Sequence, residues 1–561
     1  MATERATFTN PIIRGFNPDP TVCVVPATPT TPRRYFISTS TFEYFPGCAI
    51  YVSEDIVNWK LIGHALNRRS QIDLRTVEPG AGSWASTLRY RPNEKRWYLI
   101  NGLFHRYQPT TDERIFPRGF YVYTDDIYDD NAWSDPVYFD NPGFDQDVFW
   151  DDDTGKVYLS TTVRLANRTP GLKLKDFAIH ASEIDIKTGR TLTPPVVLRQ
   201  SPYGVAEGSH IMRKGDYYYM FVAEGGTEAG HQEWVFRSTE GPLGPWESQG
   251  QPLWYNGPDE EVQRTGHADV FEDDQGKWWG VFLGVRPAID GGRYIEPQLG
   301  RETFLVKVDW VDDWPVFNDG KNITLETEAH YPLNQLEGTG SSENLRWKAS
   351  YGLDSAPEAL ELGWYQKNTP IKSCYSLHRN PDYIRLYGNC YSPSSPECPA
   401  MLLRKQKTYN ETFHTKLRFN PSRAGYEAGV TVWWSMYSHA SIGITAAISA
   451  DTSPSSKQIV CRLPTGKAGN LKEIVLLHDS DETSALGNAD EVTITAKASP
   501  TKYILTIAFN NITKDIEFDA EKLTVAPPVG GAFTGTMWGI YSFGQWEPVL
   551  DPADFSDIYV E

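Results

Sequence analysis

Residues 143–159 read GFDQDVFWDDDTGKVYL, and this stretch contains the pattern that decides the fold. An acidic residue opens it, an alternating apolar strand follows, the cluster DDDTG forms a turn, and KVYL returns as a second strand. Similar stretches occur four more times: GFNPDPTVCVV at 15–25, GSWASTLRY at 82–90, AEGSHIMRKGDYYYMF at 206–221 and GHADVFEDDQGKWWGVFL at 266–283. The chain therefore repeats one β-hairpin unit.

The spacing of these units predicts how they assemble. Their opening residues follow one another at steps of 65, 61, 62 and 60 residues, and they are Asp19, Trp84, Asp145, Glu207 and His267. A unit of about 60 residues used five times is typical of a five-bladed β-propeller, whose innermost strands all face one axis. We therefore expect the three carboxyl groups of this set to converge at that axis.

The rest of the chain predicts a second all-β domain. We assign residues 1–320 to a catalytic propeller and 321–345, which lack clear periodicity, to a linker or strap. Residues 346–561 contain short strands such as AGVTVWWSMY and KYILTIAFN at the spacing of a β-sandwich, without a 60-residue period. The predicted fold is all-β, a propeller followed by a sandwich.

Charge and composition exclude several classes of partner. The 561 residues have a net charge of -19 at pH 7, which repels phosphate backbones, so nucleic acid is not an expected partner. No apolar run is long enough to span a membrane, and we expect none as a partner. The first residues lack the apolar core of a signal peptide. Sequons at Asn167, Asn322, Asn410 and Asn511 nevertheless favour a secreted protein whose signal peptide is not in this chain, with the cytoplasm as the alternative. The pairing of the six cysteines stays open.

Paired carboxyl groups at one axis suit the hydrolysis of a glycosidic bond. One acid protonates the leaving oxygen, and one carboxylate attacks the sugar or deprotonates a water. Asp19 and Glu207 come from opposite parts of the ring, which leaves room for a water and favours inversion. Asp145 would add a third charge and raise the pKa of the acid. The alternative is that Asp19 and Asp145 only cap turns before their strands.

The repeats are also similar to the successive motifs of a known family. GFNPDPT, GSWASTLRY, EGSHIMRKGDYYYMFVAEGGT, TGHADVFEDDQGKWWGVFLGVRP and LGRETFLVKVDW resemble glycoside hydrolase family 43. ELGWYQKNTP, PAMLLRKQ and AGVTVWW resemble the concanavalin-like sandwich, or jelly roll, that follows the propeller in many β-xylosidases and arabinofuranosidases of that family. The resemblance implies roles for Asp19 as general base, Asp145 as pKa modulator and Glu207 as general acid. It also implies that Arg286 contacts the sugar and that His267 lies beside a hydrated calcium ion. The alternative for His267 is a histidine that is hydrogen-bonded in the core. No cofactor is expected for the chemistry itself.

Four further residues are candidates for the walls of the sugar site. Trp84, Phe42 and Phe45 would present rings to the sugar, with propeller packing as the alternative. Ala166 would leave space at the rim for a xylan chain, which would allow some endo cleavage, unless it is merely a small loop residue. Two departures from the family pattern would reshape the rim, Ser86 after Trp84-Ala85 and Gln146 after Asp145.

The function that the resemblance implies is removal of a pentose, because the pattern is most similar to fungal family members that remove branches from arabinoxylan. We expect an inverting, exo-acting hydrolase that removes α-L-arabinofuranosyl branches from plant cell-wall arabinoxylan or its oligosaccharides. A β-xylosidase that releases xylose is the first alternative, because the two pentoses differ by a few contacts. A sugar-binding propeller lectin is the non-enzymatic alternative. Retaining fructosyl hydrolases also use five-bladed propellers, but their N-D-P-N-G string is absent here.

Overall fold

The computed structural model describes residues 6–105, 118–165, 177–336, 362–377, 383–446, 456–477 and 480–561. Over these residues the chain is a five-bladed β-propeller followed by a β-sandwich, so the predicted fold class is confirmed. The helical content of this part is one α-helix and three single 3₁₀ turns, at Ser480–Gly487, Asp130–Ala132, Asn318–Gly320 and Ala520–Lys522. No helix among them is both long and apolar enough to cross a lipid bilayer.

Each blade is an antiparallel sheet of consecutive strands. The first blade comprises Thr21–Val25, Arg34–Thr39, Gly47–Ser53 and Lys60–Leu66, and the second comprises Gly82–Arg91, Arg96–Phe104, Arg118–Thr124 and Val137–Pro142. The third blade contains Phe144–Asp151, Lys156–Arg164, Phe177–Asp185, Arg190–Thr191 and Val196–Gln200. The fourth contains Ala206–Lys214, Tyr217–Glu224 and Gln232–Ser238. The fifth contains Gln263–Glu272, Trp278–Val285, Glu302–Val311 and Trp314–Phe317. Two short pairs flank the blades, Tyr44–Phe45 with Gln366–Lys367 and Ile289–Asp290 with Arg293–Tyr294.

Hydrogen bonds between neighbouring first strands close the ring at the axis. The backbone N–H of Leu88 donates to the Thr21 hydroxyl over 3.1 Å, which joins the second blade to the first. The N–H of Ile211 donates to Asp147 over 2.8 Å, which joins the fourth blade to the third. The N–H of Val22 donates to Asp269 over 3.0 Å, so the first blade is bonded to the fifth.

The amino-terminal segment and the predicted strap form one two-stranded sheet. Thr7–Thr9 pairs antiparallel with Glu326–Glu328. Asn256 of the propeller exchanges two hydrogen bonds with the backbone of Ile323, at 2.8 and 3.1 Å. Residues 321–336 are therefore fixed to the propeller, whereas the remainder of the predicted linker, 337–345, lies outside the described residues.

The carboxyl-terminal domain is two stacked antiparallel sheets. The six-stranded sheet has the order Ala400–Lys405, Met537–Gly544, Tyr426–Ser435, Ser438–Ala446, Lys457–Pro464 and Leu471–Val475. The seven-stranded sheet has the order Tyr375–Ser376, Ile384–Leu386, Ala553–Val560, Thr412–Arg418, Val492–Ala498, Lys502–Phe509 and Ile512–Asp519. Alternate residues of the central strands, such as Val430, Ile442 and Ile540, fill the core between the sheets.

The outer face of the six-stranded sheet packs on the propeller. Trp433 of this sheet donates its indole N–H to the Tyr44 hydroxyl over 2.9 Å, and both rings are buried. The ammonium group of Lys405 donates to the Asn17 side chain over 2.8 Å. Asn17 lies two residues before Asp19, so the sandwich reaches the predicted catalytic strand.

Candidate functional site

A bend recurs in the first strand of every blade, where the chain passes the axis. A residue with left-handed φ occupies it: Asp19 at +54°, Ala85 at +36°, Asp145 at +51°, Gly208 at +60° and His267 at +58°. In blades two to five the pairing with the second strand shifts register across the same point. Bulges of this kind turn side chains towards a site, and non-glycine residues adopt the conformation only when their surroundings enforce it.

This bend corrects the predicted alignment of the repeats by one residue. Trp84 and Glu207 precede the bent position, whereas Asp145 and His267 occupy it. The sequence spacing could not reveal the offset, because a bulge adds a residue without changing the pattern that follows it.

Asp19 is held by two donors at the amino-terminal end of the first blade. Its Oδ2 accepts a hydrogen bond of 2.6 Å from the Ser40 hydroxyl. Its Oδ1 lies 3.3 Å from Nη1 of Arg301, which also donates to Thr227 over 2.7 Å. The Asp19 side chain is 8% exposed, so these two partners hold a buried carboxylate in one orientation.

Asp145 lies within the electrostatic influence of the other two carboxyl groups. Burial raises the pKa of Asp145 well above its usual value, and the charges of Glu207 and Asp19 raise it further. Arg301 and a hydrogen bond from the Gly208 backbone N–H oppose this rise. The charges of Asp19 and Glu207 thus reach Asp145, as convergence of the three carboxyl groups requires, and their repulsion favours the protonated form of Asp145.

The strand that carries Glu207 passes very close to His267. A Cβ atom at Gly208 would lie 2.7 Å from Cε1 of His267, so glycine is required there. Nδ1 of His267 lies 3.7 Å from Oδ1 of Asp19. Burial lowers the pKa of His267 to about 3, against the opposing charge of Asp19, so its ring is neutral.

The centre of the propeller beneath these residues is occupied by the guanidinium of Arg89. It donates to Asp269 and Asp147 over 2.8 and 2.9 Å, and Nη2 lies 3.2 Å from Nδ1 of His210. It also donates to Thr21 over 3.2 Å, so all five blades contribute to this contact. Burial alone would raise the pKa of both aspartates, but Arg89 holds the pKa of each below its usual value.

This arrangement does not fit a calcium ion held by the protein at the axis. The oxygen atoms that face the axis, from Thr21, Asp147 and Asp269, are already bonded to a cation, the Arg89 guanidinium. Across the described ranges, no group of three or more His, Cys, Asp or Glu side chains is placed to hold a metal. Oδ1 of Asp19 lies 3.7 Å from Nδ1 of His267, which is longer than a hydrogen bond.

Aromatic rings from both domains surround Arg301. Its guanidinium carbon lies 5.5 Å from the ring centres of both Phe42 and Phe533. Trp84 meets Phe533 edge to face at 5.7 Å and stacks on Phe104 at 4.0 Å. Phe533 belongs to the sandwich, so the second domain contributes to this wall, a contribution that no propeller motif could have revealed.

Two of the other candidate residues, Arg286 and Phe45, contact other parts of the molecule. Arg286 forms a two-pronged ion pair with buried Glu302, at 2.6 and 3.0 Å, and donates to the backbone oxygen of Lys407. It therefore fixes the domain interface, and Arg301 is the arginine at the carboxyl groups. Phe45 packs against the core of the first two blades, because adjacent strand residues face opposite sides and Tyr44 faces the sandwich. Ala166 lies outside the described residues.

The two departures from the family pattern are internal substitutions. Gln146 is fully buried, donates to the Gly143 oxygen over 2.7 Å and lies against Gly119. Ser86 is 1% exposed and its hydroxyl lies 2.9 Å from that of Ser38. Both side chains fill space between blades, so the expected change at the rim is wrong.

A five-bladed propeller that gathers three carboxyl groups and an arginine at its axis has the chemistry of a glycoside hydrolase. The model of the family "Glycosyl hydrolases family 43" matches residues 8–315, and that of "Beta xylosidase C-terminal Concanavalin A-like domain" matches residues 355–561. The chain therefore belongs to glycoside hydrolase family 43. Because the chain belongs to this family of enzymes, it is a glycoside hydrolase, and the alternatives of a lectin and of a fructosyl hydrolase are rejected.

Individual relatives extend over almost the whole chain. "Non-reducing end alpha-L-arabinofuranosidase BoGH43B" of Bacteroides ovatus is 32% identical over 99% of this chain and 95% of its own length. "Xylan 1,3-beta-xylosidase" of a Vibrio species is 30% identical over 87% of this chain and 86% of its own length. Among solved structures, xylan beta-1,4-xylosidase from Bacillus halodurans has a TM-score of 0.82 at 26% identity, with 99% of this chain and 100% of that chain covered. These relatives act on carbohydrates, as the site chemistry requires.

Proposed function

We propose that this chain is an inverting, exo-acting α-L-arabinofuranosidase that removes branches from arabinoxylan or its oligosaccharides. The observation that carries the proposal is the burial of Asp19 and Asp145 beside Arg301, whose guanidinium lies against aromatic rings from both domains. A buried acid centre of this kind suits a terminal sugar better than the middle of a continuous chain. The similarity to an arabinofuranosidase over nearly the full length of both proteins supports the choice of sugar.

In this proposal Asp19 is the general base. The hydrogen bond from Ser40 and the contact with Arg301 orient its carboxylate. It accepts a proton from a water molecule as that water attacks the anomeric carbon from the face opposite the leaving group. The neutral ring of His267, 3.7 Å away, contributes no competing charge.

Glu207 is the general acid, and Asp145 controls its protonation. The charges of the two residues interact, so ionisation of one disfavours ionisation of the other and a proton stays in the pair. Glu207 is partly exposed and is the one that reaches the leaving oxygen, whereas Asp145 is buried. Proton transfer from Glu207 to that oxygen completes bond cleavage, and no cofactor is needed.

Arg301 recognises the sugar. In this proposal its guanidinium lies beside Phe42 and Phe533 and donates to hydroxyls of the bound sugar while it stays against the aromatic side chains. Because Phe533 comes from the sandwich, the enzyme requires both domains to form the sugar site.

Chromatographic identification of the released monosaccharide tests this proposal. We expect arabinose from singly and doubly substituted arabinoxylan oligosaccharides, with the xylose backbone left intact. A Glu207→Gln chain purified in the same way is the control, and it should release no sugar from these substrates. Release of xylose from unbranched xylooligosaccharides without release of arabinose would overturn the proposal.

That outcome would favour a β-xylosidase, the second candidate. The sandwich matches a family model named for β-xylosidases, and relatives from Vibrio and Bacillus subtilis carry that name. The two sugars differ by ring size and one hydroxymethyl group, and contacts of about 1 to 3 kcal/mol each decide between them.

A further inference from the structure

A cleft of about 720 Å³ lies on the sandwich domain, apart from the carboxyl centre. This volume is within the range of roughly 300 to 1,000 Å³ that ligand sites occupy. Its floor is the outer face of the six-stranded sheet, including Glu427, Gln458 and Arg462. One wall is the segment 390–396, and another is the turn that carries Trp546.

The cleft is the uncovered half of a sheet face whose other half is an interface. Towards Ala400–Lys405 this face carries Met401, Trp433 and Tyr541, which pack against Phe16 and Tyr44. Towards Lys457–Pro464 and Leu471–Val475 the same face carries polar side chains and remains open. The outward-facing side chains of this sheet are thus mainly apolar where the propeller covers them and mainly polar where it does not.

Trp546 is the most exposed large apolar side chain among the described residues, at 86%. Its backbone has a left-handed φ of +66°, so the turn holds a non-glycine residue in an unfavourable conformation. Phe543 and Tyr391 line the same cleft. Flat rings beside hydrogen-bonding groups match the alternating C–H faces and hydroxyls of a sugar chain.

The charges of the cleft favour a neutral ligand. Arg462 is bonded to Glu427 over 2.9 Å and to Glu473 over 3.0 Å, so its guanidinium is shared by two carboxylates. The Tyr541 hydroxyl also donates to Glu427, over 2.7 Å. Anions would meet the unmatched carboxylate charge, whereas Gln458, Gln545 and Thr445 offer neutral donors and acceptors to hydroxyl groups.

We propose that this cleft is a second carbohydrate-binding site that holds the xylan backbone of the substrate. The proposal rests on the proposed function for the identity of the polymer. Binding here would keep the polysaccharide near the enzyme between cleavage events and would raise its effective concentration at the propeller. Small substrates cannot reach both sites at once, so the second site would not increase the rate at which they are cleaved.

Affinity electrophoresis of the full chain in gels containing arabinoxylan tests the proposal. Glu207→Gln is introduced to prevent hydrolysis, and Trp546→Ala is compared in that background. Truncation of a ring that stacks on a ligand should weaken retardation roughly fivefold or more. Because Trp546 is exposed, its removal should leave folding intact.

Two controls make the comparison specific. Leu550→Ala removes another apolar side chain, 77% exposed, from the same turn but outside the cleft lining, and should leave retardation unchanged. Trp546→Ala without the Glu207 change should keep the kcat/KM for an aryl α-L-arabinofuranoside. Gln458→Ala, on the floor of the cleft, should reduce retardation independently of Trp546.

The outcomes separate this proposal from the proposed function. Retardation that is unaffected by Trp546→Ala, or absent in every variant, would overturn the second site and leave the arabinose assay untouched. A change from dimer to monomer on Trp546→Ala in light scattering, with retardation kept, would make the cleft a self-association surface and would also overturn it. Xylose release together with Trp546-dependent retardation would overturn only the choice of arabinose.

Discussion

Arg301 of the propeller lies 3.3 Å from the carboxylate of Asp19 while the ring of Phe533, from the sandwich, covers its guanidinium at 5.5 Å. Its Nη2 also approaches the backbone oxygen of Phe533 at 3.4 Å. One side chain thus connects the proposed base with both domains. Changes at Arg301 should consequently affect catalysis more than they affect stability.

Arg301→Lys should lower kcat/KM on an aryl α-L-arabinofuranoside by roughly 10- to 100-fold, because a charged hydrogen bond contributes about 1.5 to 3 kcal/mol. Lysine keeps the charge but loses the planar fork. Arg293→Lys is the control, since Arg293 is 67% exposed in a surface ion pair. Equal activity of both variants would contradict the role of Arg301.

Glu207→Gln should abolish release from oligosaccharides and affect aryl substrates much less. An oligosaccharide leaving group needs a proton, whereas an activated phenolate leaves without one. Steady-state rates on both substrate types measure the difference. Equal losses on the two would argue against Glu207 as the acid.

Asp145→Asn should change the pH dependence of stability. The pKa of Asp145 is raised in the folded state, so its contribution to stability is fully present below the unfolded pKa of about 3.9 and is lost as pH rises through the folded pKa. Asparagine cannot ionise, so the variant loses no stability from this position over the same pH range. The Tm of the variant relative to the original chain should therefore increase with pH, while kcat falls. A Tm difference that is constant with pH would contradict the burial argument.

Arg89→Met should destabilise the propeller by about 3 to 5 kcal/mol, because it leaves two buried carboxylates without their cation. Asp147 and Asp269 are 1% and 9% exposed. Arg213→Met is the control, since Arg213 pairs with Asp153, which is 64% exposed. Chelators should leave the Tm and activity of the original chain unchanged. A Tm that falls in EDTA and recovers with calcium would contradict the assignment of Arg89 as the axial cation.

The sequence predicted the architecture and the acidic centre because both depend on local patterns that repeat. Alternating apolar strands and turn clusters recur at five equivalent places, and three of these begin with an acidic residue, so the ring and the expected meeting of Asp19, Asp145 and Glu207 follow from spacing. The one-residue offset at Trp84 and Glu207 depends on a bulge, which leaves no mark in the pattern.

The residues that sequence reasoning missed depend on contacts between distant segments. Arg301 lies in a quoted family string, LGRETF, but its partner Asp19 is 282 residues away. Phe533 belongs to the other domain, and nothing in its neighbourhood marks it as facing a sugar. Arg286 ends the family string GVR and was expected to contact the sugar, but its guanidinium is paired with buried Glu302. Arg89 was visible in GSWASTLRY, but its role depends on partners from the four other blades.

Proton NMR of the first sugar released from an aryl α-L-arabinofuranoside tests the central claim most directly. If Asp19 activates water while Glu207 protonates the leaving oxygen, the first product is β-arabinofuranose, which then equilibrates. Initial appearance of the α-anomer would require a covalent intermediate and would contradict the roles given to these carboxyl groups.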